Sequence, residues 1–260
     1  MKTVKISLLA IVVIIVAIFV TISVRAQTAD EIINKSIDAI GGRELISKIK
    51  SIHVEREVEI SSATGNATGS DTVNRVVGKC FKNEIELFYT NSPKQKIIMC
   101  VTDTNGWTIN TTTGNSSAKP MSKEQYNVYK DNLQLGTLIN CEANGSKMEL
   151  IGKDILNGAS VYKLKWTDRF NDKWELYIDV TTYYLVKTII NRHTGETDIY
   201  TSSDFRKTDF GFIVPFTTTL SSPQMNATRT VKKVVINQPI DPKIFEKPNN
   251  IFPEKAIHQF

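Results

Sequence analysis

Ile52-His53-Val54-Glu55-Arg56-Glu57-Val58-Glu59-Ile60 repeats with a period of two. Ile52, Val54, Val58 and Ile60 fall on one side, while His53, Glu55, Glu57 and Glu59 fall on the other. That is the signature of an antiparallel strand with one buried and one wet face, interrupted on its apolar side by Arg56. Outward from this stretch the same grammar recurs at 73–81, 84–90, 95–102, 147–151, 160–167, 173–179, 184–191, 197–204, 212–220 and 228–237. Ile97/Met99/Val101, Leu164/Trp166, Trp174/Leu176/Ile178 and Val234/Ile236 carry the alternation most clearly. Asn105-Gly106, Asn157-Gly158 and Thr194-Gly195 supply turn chemistry between strands. Strands do not alternate with long helices, so a doubly wound α/β fold is disfavoured. About eleven strands in one meander exceed the ~10 that an open sheet carries without curling or splitting. The prediction is a mainly β chain whose sheet curls around one side.

Helices are few. Thr28-Ala29-Asp30-Glu31 is a capping box, followed by Ile32, Ile33, Ser36, Ile37 and Ile40 at helical spacing. Gly41-Gly42 stops that helix, since glycine readily takes the left-handed conformation at a helix end. A second short helix follows, with Leu45, Ile46 and Ile49 inward. Ser122-Lys123-Glu124-Gln125 is another capping box, and Tyr126, Tyr129 and Leu133 continue it as a helical insertion in the strand series. Curling with helices over the mouth would leave a concave apolar surface.

The chain has 260 residues and a formal net charge of +5. Lys2 and Lys5 precede an uncharged run from Ile6 to Val24, and Arg25-Ala26 ends it; this reads as a secretory signal over 1–26, with 27–260 as a single domain. The run also reaches the length of a membrane span, so an uncleaved anchor is the competing reading. No cysteine lies near Ala26, so lipid attachment there is not expected. With Lys2, Lys5 and Arg25 removed, the positive excess falls to two, and no basic stripe suggests nucleic acid. Cys80, Cys100 and Cys141 permit one disulfide and one free thiol without choosing a pair. Cys80 and Cys100 fall in strands, where buried small hydrophobes are the simpler reading.

No catalytic constellation emerges. His53, His193 and His258 are far apart and lack metal-ligand spacing. Ser202-Ser203-Asp204 has no glycine elbow and no base. Asp168 and Asp172 flank a turn and, with Asp198 and Asp204, read as solvated turn or edge residues. Gly41-Gly42 lacks the strand and the lysine-serine ending of a phosphate loop. Asn-x-Ser/Thr triplets at Asn66, Asn110, Asn115, Asn144 and Asn226 lie in polar, loop-like stretches. The expectation is therefore no enzyme, no metal and no cofactor.

The apolar groups are more informative. Burying a methylene is worth about 0.8 kcal/mol, so an apolar cleft can hold an acyl chain without any charged residue. Candidate lining residues are Val54, Val58, Leu87, Ile97, Met99, Leu164, Trp166, Trp174, Leu176, Ile178, Phe212 and Phe216. Packing against the helices is the alternative role for each, because core and cavity share the same period.

Several segments together resemble the outer membrane lipoprotein-sorting family, LolA-like, in its Bacteroidetes-type variant. They run from Ala29-Asp30-Glu31-Ile32-Ile33-Asn34-Lys35 through Asn105-Gly106-Trp107-Thr108-Ile109-Asn110 and Leu176-Tyr177-Ile178-Asp179. Gly211-Phe212-Ile213-Val214-Pro215 and Pro239-Ile240-Asp241 through Phe245 complete them. The resemblance covers residues 29–247. It implies an unclosed antiparallel β-barrel with helices covering the concave face, and a hydrophobic cavity for lipoprotein acyl chains or another lipid. It further implies a monomeric periplasmic carrier moving between an inner-membrane release complex and an outer-membrane acceptor. Two other readings stand beside it: an exported structural or sensory module on the same fold that binds a protein or envelope component, and a hydrolase with an unrecognised site.

Overall fold

A computed structural model describes residues 27–63, 65–139 and 147–248. The proposed signal at 1–26, Cys141, Asn144 and His258 lie outside the described residues. Among the described residues thirteen strands form one antiparallel sheet. They are β1 (Ser51–Ser62), β2 (Gly65–Val76), β3 (Cys80–Tyr89), β4 (Gln95–Thr102), β5 (Gly106–Asn110), β6 (Asn115–Pro120) and β7 (Glu149–Leu156). After them come β8 (Ala159–Thr167), β9 (Lys173–Asp179), β10 (Leu185–Asn191), β11 (Thr197–Lys207), β12 (Ile213–Ser221) and β13 (Met225–Ile236). The order across the sheet is β6-β5-β4-β3-β2-β1-β13-β12-β11-β10-β9-β8-β7. Two meanders are thus joined by the first and last strands, with Ile52 opposite Ile236 and Val58 opposite Arg229. β6 and β7 stay unpaired with each other, so the barrel is not closed, as the resemblance implied.

The expected strand at 73–81 spans a turn instead. β2 ends at Val76, and Val77-Gly78-Lys79 bends the chain into β3. β2 also begins far earlier than its apolar residues suggest, and β5 and β6 are additional strands. Asn66, Asn110, Asn115 and Asn226 sit in β2, β5, β6 and β13 rather than in loops.

Among the described residues the sheet is covered by helices α1 (Ala29–Ala39), α2 (Gly42–Ser47) and α3 (Lys123–Tyr129). Both expected capping boxes are formed, at Thr28/Glu31 and Ser122/Gln125. Gly41, at φ 131°, turns α1 into α2. A Cβ at that position would also displace the Leu45 side chain, but it is the positive φ that calls for glycine.

α1 buries Ile32, Ile33 and Ile37 against Tyr162, Leu164, Trp166, Leu176, Ile178 and Phe212. Each fully buried isoleucine contributes about 1.5–3 kcal/mol, which holds so short a helix in place. A second inner cluster places Val73, Phe81 and Val101 under Leu133, just past α3. A third, of Val58, Ala67 and Leu87, packs at the far end of β1–β3. On the outer face, Ile98, Cys100, Trp107 and Ile109 are covered by the segment ending at Phe245. The Trp107 Nε1–H donates to the Phe245 carbonyl at 3.0 Å, which fixes this C-terminal strap. Cys80 and Cys100 are free thiols.

Candidate functional site

Between the helical cover and the sheet lies a cavity of about 320 Å³. Its floor is Ile52, Val54 and Arg56 of β1, Arg75 of β2, and Val231 and Val234 of β13. One wall comes from Leu185, Ser202 and Phe205, and another from Phe212, Ile213, Val214, Pro215 and Thr218. The roof is Ser36 and Ile40 of α1 with Leu135–Ile139 of the segment after α3. Most of this surface is apolar, and the roof is a connection rather than a strand.

The stretch that leads into this roof segment is tied to both halves of the sheet. On the β2 side, the Gly78 N–H donates to the Leu133 carbonyl at 2.8 Å, and Arg75 Nε donates to the Asn132 carbonyl at 2.8 Å. On the other side, Arg169, between β8 and β9, reaches the Asn127 carbonyl at 2.7 Å and Asp131 at 3.0 Å. α1 is anchored where the Ile213 N–H donates to the Ile40 carbonyl at 3.0 Å. Backbone and arginine donors thus satisfy carbonyls of the helical cover that have no strand partner.

The twelve candidate lining residues are distributed unevenly. Val54 and Phe212 border the cavity. Leu164, Trp166, Leu176 and Ile178 are buried beneath α1, with Trp174 packed against them. Trp166 and Trp174 stack with centroids 4.7 Å apart, and Trp174 Nε1–H donates to Asp168. Val58 and Leu87 belong to the far cluster, with Ile97 beside it, and Met99 packs under the α3 region. Phe216 lies under the Arg206 guanidinium at 4.6 Å. The expected set therefore divides between the cavity lining, three packed clusters and Phe216 under Arg206.

The interruption at Arg56 marks a polar knot that the sequence reading left unassigned. Arg56 and Asp71 are cross-strand neighbours on the inner face. Asp71 has no exposed surface and accepts from Arg56 Nη2 at 2.9 Å, Arg229 Nε at 2.8 Å and the Asn83 amide. Arg75 lies on the same face of β2 and stacks 5.0 Å from the Phe81 ring. Burial, followed by the nearby positive charge of Arg56, lowers its pKa to about 10. The available signal was charge of both signs at inward positions of adjacent strands: Arg56, Asp71 and Arg75.

Elsewhere, one expectation is corrected. Asp172 is buried rather than solvated: it accepts from the His193 backbone and ring at 2.9 and 2.8 Å and from Arg192 at 3.0 Å. Burial raises its pKa, but these donors outweigh that and leave it below the usual carboxylate range. Arg192 also pairs with Asp198 at 2.7 Å, so the cluster braces the β9–β10 end of the sheet. His53 contacts Asn74 and Glu55. Among the described residues, neither histidine ring bonds to a hydroxyl or thiol, and no three metal-ligating side chains converge.

No known family profile matches the chain, and no curated protein matches it in sequence. Solved structures do match its fold. A domain described as of outer membrane lipoprotein-sorting type from Vibrio parahaemolyticus is similar at 12% identity and TM-score 0.57, covering 84% of this chain and 95% of that one. A LolA superfamily protein from Nitrosomonas europaea is similar at 15% identity and TM-score 0.57, covering 85% and 99%. A DUF1329 family protein from Desulfovibrio piger is similar at 10% identity and the same TM-score of 0.57, covering 85% and 98%. At these identities the likeness is one of fold, and it is to the lipoprotein-sorting superfamily fold over nearly the whole of each relative.

Proposed function

We propose that this chain is a non-enzymatic carrier that receives acyl chains, of lipoproteins or a related lipid-like ligand, and passes them toward the outer membrane. The observation that carries the reading is the roofed apolar cavity between α1, the 135–139 segment and β1–β13. Such a pocket, mostly apolar with a few convergent polar groups, is the usual form of a small-ligand site. The fold likeness to lipoprotein-sorting proteins supports the same function. In this reading residues 1–26 are a cleaved secretion signal and the carrier domain of residues 27–260 works as a periplasmic monomer. It would load at an inner-membrane release complex and unload at an outer-membrane acceptor.

The test is lipid extraction and mass spectrometry of protein recovered from the periplasm, paired with transfer between donor and acceptor membranes. An acylated species bound in stoichiometric amount and moved between membranes is the expected result. Empty protein and no transfer would sink the proposal. N-terminal sequencing that starts at Gln27 would establish cleavage.

One observation favours a second reading, a structural or sensory module that binds an envelope component through its sheet edge. Strand β7 is an edge and exposes Ile155 and Ile151. A bare apolar edge invites pairing with another chain. Ile155→Lys would then abolish complex formation while leaving ligand loading unchanged, whereas the carrier reading predicts no effect on loading or transfer.

A further inference from the structure

The cavity is apolar except where β1 and β2 bring guanidinium groups to its floor. Arg56 and Arg75 both border it. Arg56 stands opposite Asp71 and Arg75 opposite Ile52, so both side chains rise from the same face of the sheet. Asp71 is held by Arg56, Arg229 and Asn83. Two guanidiniums therefore share one carboxylate, and Arg75 lies outside that pair. Among the described residues Arg75 pairs with no acid; its Nε–H goes to the Asn132 carbonyl and its plane lies over Phe81. The Nε of Arg56 is buried without an acceptor. A buried donor left unmet and a desolvated charge left unpaired are both unfavourable. Arg56 and Arg75 both border the apolar space, where an anion entering with its chain would bring a counter-charge to them.

We propose that the ligand of this cavity is a single-chain anionic amphiphile, with its alkyl chain along Ile52, Val54 and Val234 and its acidic head against Arg56 and Arg75. The inference rests on the carrier reading and names the chemical class of its ligand. The volume of about 320 Å³ is at the lower end of the ~300–1,000 Å³ typical of small-ligand pockets, which fits one chain better than several. Guanidinium groups suit the head because their planar donors match carboxylate and phosphate oxygens in pairs.

Calorimetric titration of the delipidated protein with dodecanoate, dodecanol, dodecylammonium and acetate tests the head and the chain separately. Dodecanoate is expected to bind about tenfold or more tighter than dodecanol, as charge-assisted hydrogen bonds require. Dodecylammonium should bind more weakly than dodecanol, and acetate should not compete with dodecanoate. Arg75→Gln should erase the preference for dodecanoate, read as the ratio of its affinity to that of dodecanol, because any loosening of the cover that Arg75 ties at the Asn132 carbonyl weakens both ligands alike. If that variant does not fold, Arg75→Lys, which keeps the charge, should retain the preference, and the wild-type series tests the head by itself. Equal binding of dodecanoate and dodecanol, or a preference that survives Arg75→Gln, would overturn the anionic head and leave the carrier intact. Competition by acetate as strong as by dodecanoate would make this a free-anion site and overturn the amphiphile. Failure of dodecanoate and dodecanol alike, with no acylated species in the lipid extract, would instead remove the carrier reading itself.

Discussion

Replacing Asp71 by Asn keeps the shape of the inner-face knot but removes its only negative charge. In the native chain this carboxylate is fully buried and compensates Arg56 and Arg229, whose side chains retain 22% and 19% of their exposure. Breaking a buried pair by removing one partner costs about 3–5 kcal/mol, because the remaining charge is left without compensation. The residual exposure of both arginines puts the expected loss at the lower end, about 3 kcal/mol. In a chain of this size each kcal/mol moves the melting midpoint by ~2–4 °C, so Asp71→Asn should melt about 6–12 °C lower. Urea unfolding followed by circular dichroism measures the same loss as a lower midpoint with an unchanged slope. Adding Arg229→Met to Asp71→Asn should recover part of it, since one uncompensated cation disappears with the acid. A loss below about 1 kcal/mol, the scale of an exposed pair, would refute the claim that the knot is held by a desolvated charge.

Three further outcomes follow from the packing and charge of the sheet. A Cβ at Gly69 would lie 1.8 Å from the Glu86 carbonyl oxygen, so Gly69→Ala should part β2 from β3 and cost at least the ~1–3 kcal/mol of ordinary overpacking, read by urea unfolding. Burial raises the pKa of Glu175, but hydrogen bonds from Lys163, Lys165 and Tyr177 outweigh it and bring the value down to about 2. Its folded value is thus depressed, and the stability it contributes is present above its ordinary value of 4.5 and lost as pH falls toward 2. Melting curves of wild type and Glu175→Gln should differ at neutral pH and converge across that acid window; a constant gap would contradict the assignment. Burial pushes the Cys100 thiol up to about 12, so a thiol reagent should label it only after denaturation, with Cys80 labelled first, as peptide mapping would show.

Much of the fold was legible because its physical causes are local. The alternation of Leu164/Trp166 and Trp174/Leu176/Ile178 located β8 and β9, and the Thr28 and Ser122 capping boxes located two helix starts. β2 was read short because its first half, Gly65 to Asp71, is small and polar. Its strand character comes from pairing on both sides with β1 and β3 and not from its own residues. β6, Asn115–Pro120, has no apolar stripe for the same reason: it is an edge strand. The cavity was harder to see. Leu176 and Val54 follow the same period, and only the position of α1 above one and of an opening above the other separates core from lining. In the Arg56–Asp71–Arg229 knot the first pair spans one hairpin, but Arg229 comes from 158 positions beyond Asp71, a proximity that no local pattern carries.

The junction of β1 with β13 has a kinetic consequence. Each meander is a ladder of neighbouring hairpins whose contacts are close in sequence and can form early. Their union is not local: the Lys50 N–H reaches Asn237 Oδ1 across 187 residues. Loop-closure entropy must be met before such a contact returns anything, which makes this seam the slow step of folding. The cavity floor straddles that seam, with Val54 on one side and Val231 and Val234 on the other. A chain emerging from its N-terminus would therefore have no binding site until β13 arrived, and ligand capture would report that the two meanders had joined.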